Sequence, residues 1–155
     1  MTMVKSSLTD EARRVTGAVL QDSLVDLVDL HLSAKQAHWN LTGRSFRSVH
    51  LQLDEVVDLA REHADTVAER AVAIGVNADG RARTVAEQTK LHPLEAGWLP
   101  DDKVIAAITD MLGEMGQRFR ERIETTDESD QVSQDILIEV AQDLDKQHWM
   151  FAVQH

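Results

Sequence analysis

The sequence predicts an all-α four-helix bundle, and three observations carry that expectation. Apolar residues recur at spacings of three and four through four long stretches, as they do in helices with one buried face. Seven glycines and two prolines in 155 residues are too few for a turn-rich β fold, while Ala, Leu, Glu, Gln and Arg, all good helix formers, are abundant. The connections are short except for one of about 25 residues between the second and third stretches. That connection is long enough to run the length of a bundle and set those two helices parallel.

Residues 1–8, MTMVKSSL, read as a short mobile tail charged only at Lys5, and residues 9–155 as one bundle domain. Thr9 suits an N-cap, with Asp10 and Glu11 in the first turn. The first helix then runs to about residue 39 on an apolar face that includes Val15, Leu20, Leu24, Leu27, Val28 and Leu32, and Asn40 and Gly43 stop it. Ser45 is the expected cap of the second helix, whose buried stripe begins at Phe46 and Val49 and ends at Ile74, beside Gly75. In the crossover, TVAEQTKL is expected to form a short helix capped by Thr84, with Glu87 closing the box, before Pro93, Gly97 and Pro100 break the chain. The third helix starts near Asp101 or Asp102. The fourth spans about Ser129 to Phe151, after a turn over TTDESD at 125–130. Trp98 and Trp149 read as core or interface residues.

Composition excludes several chemistries. Without cysteine there is no disulfide, thiolate nucleophile or cysteine-ligated metal. No 18-residue apolar run and no cleavable apolar leader are present, so a soluble cytoplasmic protein without membrane contact is expected. Acidic residues outnumber basic ones 27 to 16, for a net charge of −11. That balance opposes phosphate-backbone binding and suits cations as ligands or substrates.

The second helix carries the chemistry. Beside its buried stripe lie His50, Asp54, Asp58, Glu62, Asp65 and Glu69, spaced by fours and one three, all on one flank. A solvated acidic face is the plain reading. The chemical reading is that imidazole and carboxylate without thiolate suit Fe(II), Mn(II) or Zn(II). One helix cannot close one site, because Asp54 and Asp65 are eleven residues, or about 16 Å, apart. Two copies crossing antiparallel about a two-fold axis between residues 59 and 60 can close it. His50 then faces Glu69 of the partner subunit and Asp54 faces Asp65 of the partner subunit. The residue numbers of each facing pair total 119, and a two-fold makes each contact twice. His38, in the last turn of the first helix, can reach back across the short turn to His50.

These residues carry a resemblance. Lys35 with HWN at 38–40, HLQLDE at 50–55, DTVAER at 65–70 and DILIEVAQDLDKQHW at 135–149 resemble the Dps family of mini-ferritins over nearly the whole chain. The resemblance implies a ferritin-like four-helix bundle with a short helix in the crossover, assembled as a homo-dodecameric hollow shell. It implies a ferroxidase centre shared across each two-fold, with His38, His50 and Asp54 from one subunit and Asp65 and Glu69 from its partner as both metal ligands and catalytic residues. Trp39 and Lys35 would lie beside that centre. The implied reaction is oxidation of Fe(II) to Fe(III) by hydrogen peroxide or dioxygen, with storage of a ferric oxide core. Asp130 and Asp135 fall where the family has a three-fold pore, and Glu55 and Asp58 are expected to face the cavity and start mineral growth.

The chain departs from the family in lacking a basic tail. Lys5 stands alone in the first eight residues, and twelve chains at −11 apiece would carry a formal −132. DNA binding is therefore expected to be weak or absent, and nucleoid association only if that fails. A conventional ferritin or di-iron oxidase is disfavoured, since no histidine here has a glutamate three residues before it. The non-enzymatic alternative is a structural or DNA-compacting helical shell, which would oxidise iron no faster than buffer.

Overall fold

The computed structural model describes residues 5–154; residues 1–4 of the expected tail and His155 lie outside the described residues. Four long helices, α1 (Asp10–Asn40), α2 (Phe46–Ala73), α4 (Asp101–Thr126) and α5 (Gln131–Ala152), form the bundle. The short α3 (Ala82–Gln88) sits in the crossover. Two-residue strands, β1 (Leu41–Thr42) and β2 (Leu99–Pro100), pair in parallel with Leu41 opposite Leu99. Because β1 precedes α2 and β2 precedes α4, that pairing starts both helices at the same end of the bundle. α2 and α4 therefore run parallel, as the long crossover required.

The helices form where their apolar stripes meet. Leu20, Leu27, Leu53, Ile108, Leu112, Phe119, Leu137, Leu144 and Phe151 are fully buried in one continuous core. Thr9 caps α1 by accepting from the Ala12 backbone N–H, and Leu8 ahead of it packs against the core. Gly43 turns the chain between α1 and α2 at φ 130°, a region that favours glycine. A Cβ there would also lie 2.3 Å from the Asp101 carboxylate, which accepts from the Ser45 backbone N–H. Asp101 thus ties the start of α4 to the start of α2. The crossover is held against α1 by Gln21, whose amide makes two hydrogen bonds to the Asp79 backbone, and by a Thr89–Asp29 hydrogen bond.

A buried charge cluster lies between α1 and α4. Asp26, 1% exposed, accepts from Arg122 Nη2 at 2.7 Å and from Arg118 Nε at 3.2 Å. Arg122 also lies over the Phe119 ring.

Several local expectations change. Thr84 does not cap α3: it lies inside the helix and its hydroxyl donates to Asp79, so Arg81 takes the cap position without a side-chain bond. Ser45 occupies the α2 cap position but likewise makes no side-chain cap bond. α4 extends through Thr126, into the segment read as turn, and Asp130, rather than Ser129, precedes α5. Trp98 and Trp149 are not core in this chain, being 75% and 62% exposed, and Leu32 is also half out. Among the described residues, no helix is long and apolar enough to cross a membrane.

Candidate metal centre

The end of α1 and the start of α2 lie side by side, so two histidines twelve residues apart meet. His38 is buried and His50 half-buried, and their rings stack with centroids 3.5 Å apart. Each Nδ1 lies 2.8 Å from the other residue's backbone carbonyl oxygen. A carbonyl only accepts, so each Nδ1 carries the proton and donates it. That leaves Nε2 of both rings with the lone pair a metal ion needs, oriented by backbone anchors that cannot rotate away. Phe46 stacks on His50 from the other side, at 5.0 Å. The apolar stripe predicts a core position for Phe46. It is instead 42% exposed and serves as the wall behind His50; its position four residues before His50 on one helix is the available signal.

Asp54 lies beside this pair. Its Oδ1 lies 3.3 Å from His38 Nδ1 and accepts from Lys35 Nζ at 2.6 Å. The Lys35 hydrogen bond is the main reason its carboxyl is held below the usual carboxylate range. Burial pushes the other way, and the Lys35 charge, with those of His38 and His50 when they are protonated, adds to the lowering. Asp54 is therefore ionised at neutral pH. Trp39, next to His38, is 63% exposed, with its indole on the outer surface of the bundle.

Asp65 and Glu69 are exposed on α2, further along the helix. Among the described residues, no three His, Asp or Glu side chains of this chain gather as a metal site. What this chain brings together by itself is the stacked pair His38 and His50 and, beside His38, the carboxylate of Asp54, which is paired with Lys35. The geometric reason is helix length: α2 spreads His50, Asp54, Asp65 and Glu69 along its axis.

The remaining candidates fall in different surroundings. Asp130 is buried and accepts from the Ser133 backbone N–H at 3.2 Å, from the Ser133 hydroxyl, and from Arg70 Nη2 at 2.6 Å. Burial pushes its carboxyl up, but the Ser133 and Arg70 hydrogen bonds and the Arg70 charge outweigh this and leave it below its usual range. Asp135 is exposed on α5. Glu55 is exposed and accepts from Gln147 Nε2 at 3.3 Å, and Asp58 is exposed near the middle of α2. Two histidines that have no convincing partner in the sequence have one in space: His63 meets Asp143 at 2.7 Å and His92 meets Glu114 at 3.2 Å.

A four-helix bundle with a crossover helix, carrying two stacked histidines and an aspartate beside the first hairpin, has the ferritin-like architecture, and the ferritin-like domain family matches residues 17–155. A DNA protection during starvation protein of Agrobacterium fabrum is 36% identical over 148 residues, 94% of this chain and 90% of the relative. DNA protection during starvation protein 2 of Deinococcus radiodurans is 32% identical over 96% of this chain, which spans 61% of that longer relative. The solved structure of Dps from Microbacterium arborescens in its high iron form has a TM-score of 0.91 at 33% identity, covering 97% of each chain. The chain belongs to the Dps family.

Proposed function

We propose that this protein stores and detoxifies iron, oxidising Fe(II) to Fe(III) at centres shared between subunits of a hollow homo-dodecamer and depositing ferric oxide inside. The observation that carries this reading is the half-site of His38, His50 and Asp54: two stacked rings anchored through Nδ1 on backbone carbonyls, with Asp54 Oδ1 3.3 Å from His38 Nδ1. Two further carboxylates, Asp65 and Glu69, stand on the same helix at the spacing an antiparallel two-fold needs. Family membership and the high iron form of a relative support the same reading.

Iron is the substrate. His38 and His50 hold it as neutral ligands, while Asp54 and the partner's Asp65 and Glu69 supply the negative charge that favours Fe(III) over Fe(II). Two Fe(II) give up the two electrons that reduce one hydrogen peroxide to water, so the reaction removes both reagents of hydroxyl-radical formation; dioxygen is the other available oxidant. Lys35 and Trp39 flank the centre, Lys35 as the holder of Asp54. Iron admission suits the end of the bundle where Asp127, Glu128 and Asp135 are exposed. Asp130 has its carboxylate committed to a cap and to Arg70 and is a structural residue in this reading. Glu55, outside the half-site, suits mineral nucleation. A cytoplasmic location accompanies this reading.

A mixing experiment tests the shared site. One variant carries His50→Ala and Asp54→Ala, the other Asp65→Ala and Glu69→Ala. Each alone should lose rapid Fe(II) oxidation. Reassembled together, half of the random dimers are mixed and one of the two sites in each is wild type, so about a quarter of the sites recover. Mixed shells that stay inactive while a wild-type control survives the same treatment rule out sharing across the two-fold. Wild-type oxidation no faster than buffer would leave the non-enzymatic shell.

A further inference from the structure

α2 carries one pair of opposite charges that the iron centre does not use. Asp58 and Arg61 are both exposed near the middle of the helix. Three residues apart, they are spaced to pair with each other, yet among the described residues neither side chain has a hydrogen bond or ion pair within the chain. Arg61 is close enough to act on His31, whose imidazole is pushed down by burial first and by the Arg61 charge second. At about 100° per residue, His50, Asp54, Asp58, Arg61, Asp65 and Glu69 share roughly 100° of the helix surface. Leu51 and Val72, at either end of this face, are about half exposed, as apolar side chains awaiting cover would be.

In the antiparallel register proposed for the iron centre, facing residue numbers total 119, and Asp58 and Arg61 also total 119. Both lie within about 2 Å of the axis along the helix. We propose that Asp58 and Arg61 form two reciprocal ion pairs astride the two-fold, Asp58 with the partner's Arg61 and Arg61 with the partner's Asp58, and that these pairs set the register of the two α2 helices. The occupant of this face is a second copy of this chain. The inference rests on the proposed shared centre for its register and deepens it by naming the contacts that align its halves. Within the acidic stripe, the like-charged facing pair of this register is Asp54 with the partner's Asp65, the place where a cation is taken up. A register one turn longer, totalling 123, would set Asp58 against the partner's Asp65 and Asp54 against the partner's Glu69, with like charges at both. Asp58 therefore belongs to the interface and leaves the cavity wall to Glu55.

Charge reversal gives the test. Asp58→Arg alone sets arginine against arginine twice in every dimer, and Arg61→Asp alone sets aspartate against aspartate twice. Each should cut the assembled fraction, read by light scattering of the full chain, at least tenfold at a concentration where wild type is assembled. In a dimer that takes one chain of each variant, both contacts join an arginine of one chain to an aspartate of the other. The mixture should therefore assemble again, as should the double variant Asp58→Arg/Arg61→Asp. Single variants that assemble like wild type overturn the pairing. So do singles that fail to assemble with no recovery in either the mixture or the double variant, since charge order would then not be what failed. The two readings separate cleanly. If the ferroxidase mixing experiment recovers activity while charge reversal is silent, the pairing alone falls. If charge pairing recovers assembly while the ligand mixture stays inactive, the shared centre alone falls.

Discussion

Lys35 Nζ lies 2.6 Å from Asp54 Oδ1, so a cation already sits on the carboxylate that iron would use. The pair is partly exposed, 33% at the lysine and 40% at the aspartate, and so contributes little to stability, about 0–1 kcal/mol. In the proposed centre its effect would be on binding, since an incoming divalent ion would have to displace an ammonium. Lys35→Met removes the competitor and should tighten binding of redox-inert Zn(II) up to roughly fivefold, the factor that about 1 kcal/mol makes. Isothermal titration with Zn(II) reads this directly, and unchanged or weaker binding would show that Lys35 orients Asp54 more than it competes. At this scale, legibility follows sequence distance. His50 and Asp54 are readable because one helix turn joins them, and His38 because a short turn brings it back. Lys35 emerges only from the family resemblance, since nineteen residues and a hairpin separate it from Asp54. The Asp26–Arg118–Arg122 cluster gives no signal, because its partners are 92 and 96 residues apart. The mutual backbone anchoring of the two histidines is not readable either, because no side-chain pattern encodes it.

α5 shows how a helix start takes on a second task. Asp130 accepts from the Ser133 backbone N–H, satisfying one orphan donor of the first turn, and it also anchors Arg70 of α2. A cap joined to an ion pair locks the register between two helices. Asp130→Asn keeps an oxygen for Ser133 but loses the charge opposite Arg70, so it should lower stability by about 1–2 kcal/mol at neutral pH. The pH dependence has a fixed sign. Asp130 has its folded pKa depressed, so its contribution is present above the unfolded carboxylate value of about 4 and disappears as pH falls through the lower folded value. Wild type and Asp130→Asn should therefore converge in acid. Denaturant unfolding at one protein concentration across pH 2 to 7, roughly that carboxylate window and above, reads the gap. A gap that is constant with pH would assign the loss to geometry. Helix existence and the parallel α2 and α4 are legible from period and crossover length. Ends are less so. Thr84 looks like a cap in sequence, but Asp79, five residues earlier, takes its hydroxyl in space.

Over the whole molecule, charge decides what the surface can hold. Of the 16 basic residues, many are already spent inside the chain. On the surface, Arg13 pairs with Asp10, Arg14 with Glu11, Arg81 with Asp79, Arg83 with Glu87 and Arg120 with Asp145. Deeper in, Arg70 is held by Asp130, and Arg118 and Arg122 by Asp26. The net −11 is plain in the sequence, but not that so many of its arginines have acidic partners. A DNA duplex needs unpaired cations to displace its counterions. The proposed shell of twelve chains would present a strongly negative body with few of them. Such a shell should not retard linear duplex DNA in a gel at about 150 mM salt and submicromolar shell concentration, and lowering the salt should gain it little, because few phosphates are neutralised. It should still protect plasmid from nicking by Fe(II) and hydrogen peroxide, since consuming both reagents needs no contact with the nucleic acid. Paired assays on one preparation separate the two routes. Protection without retardation supports chemical protection. Retardation under these conditions would overturn the charge argument and point to a basic surface that forms only on assembly.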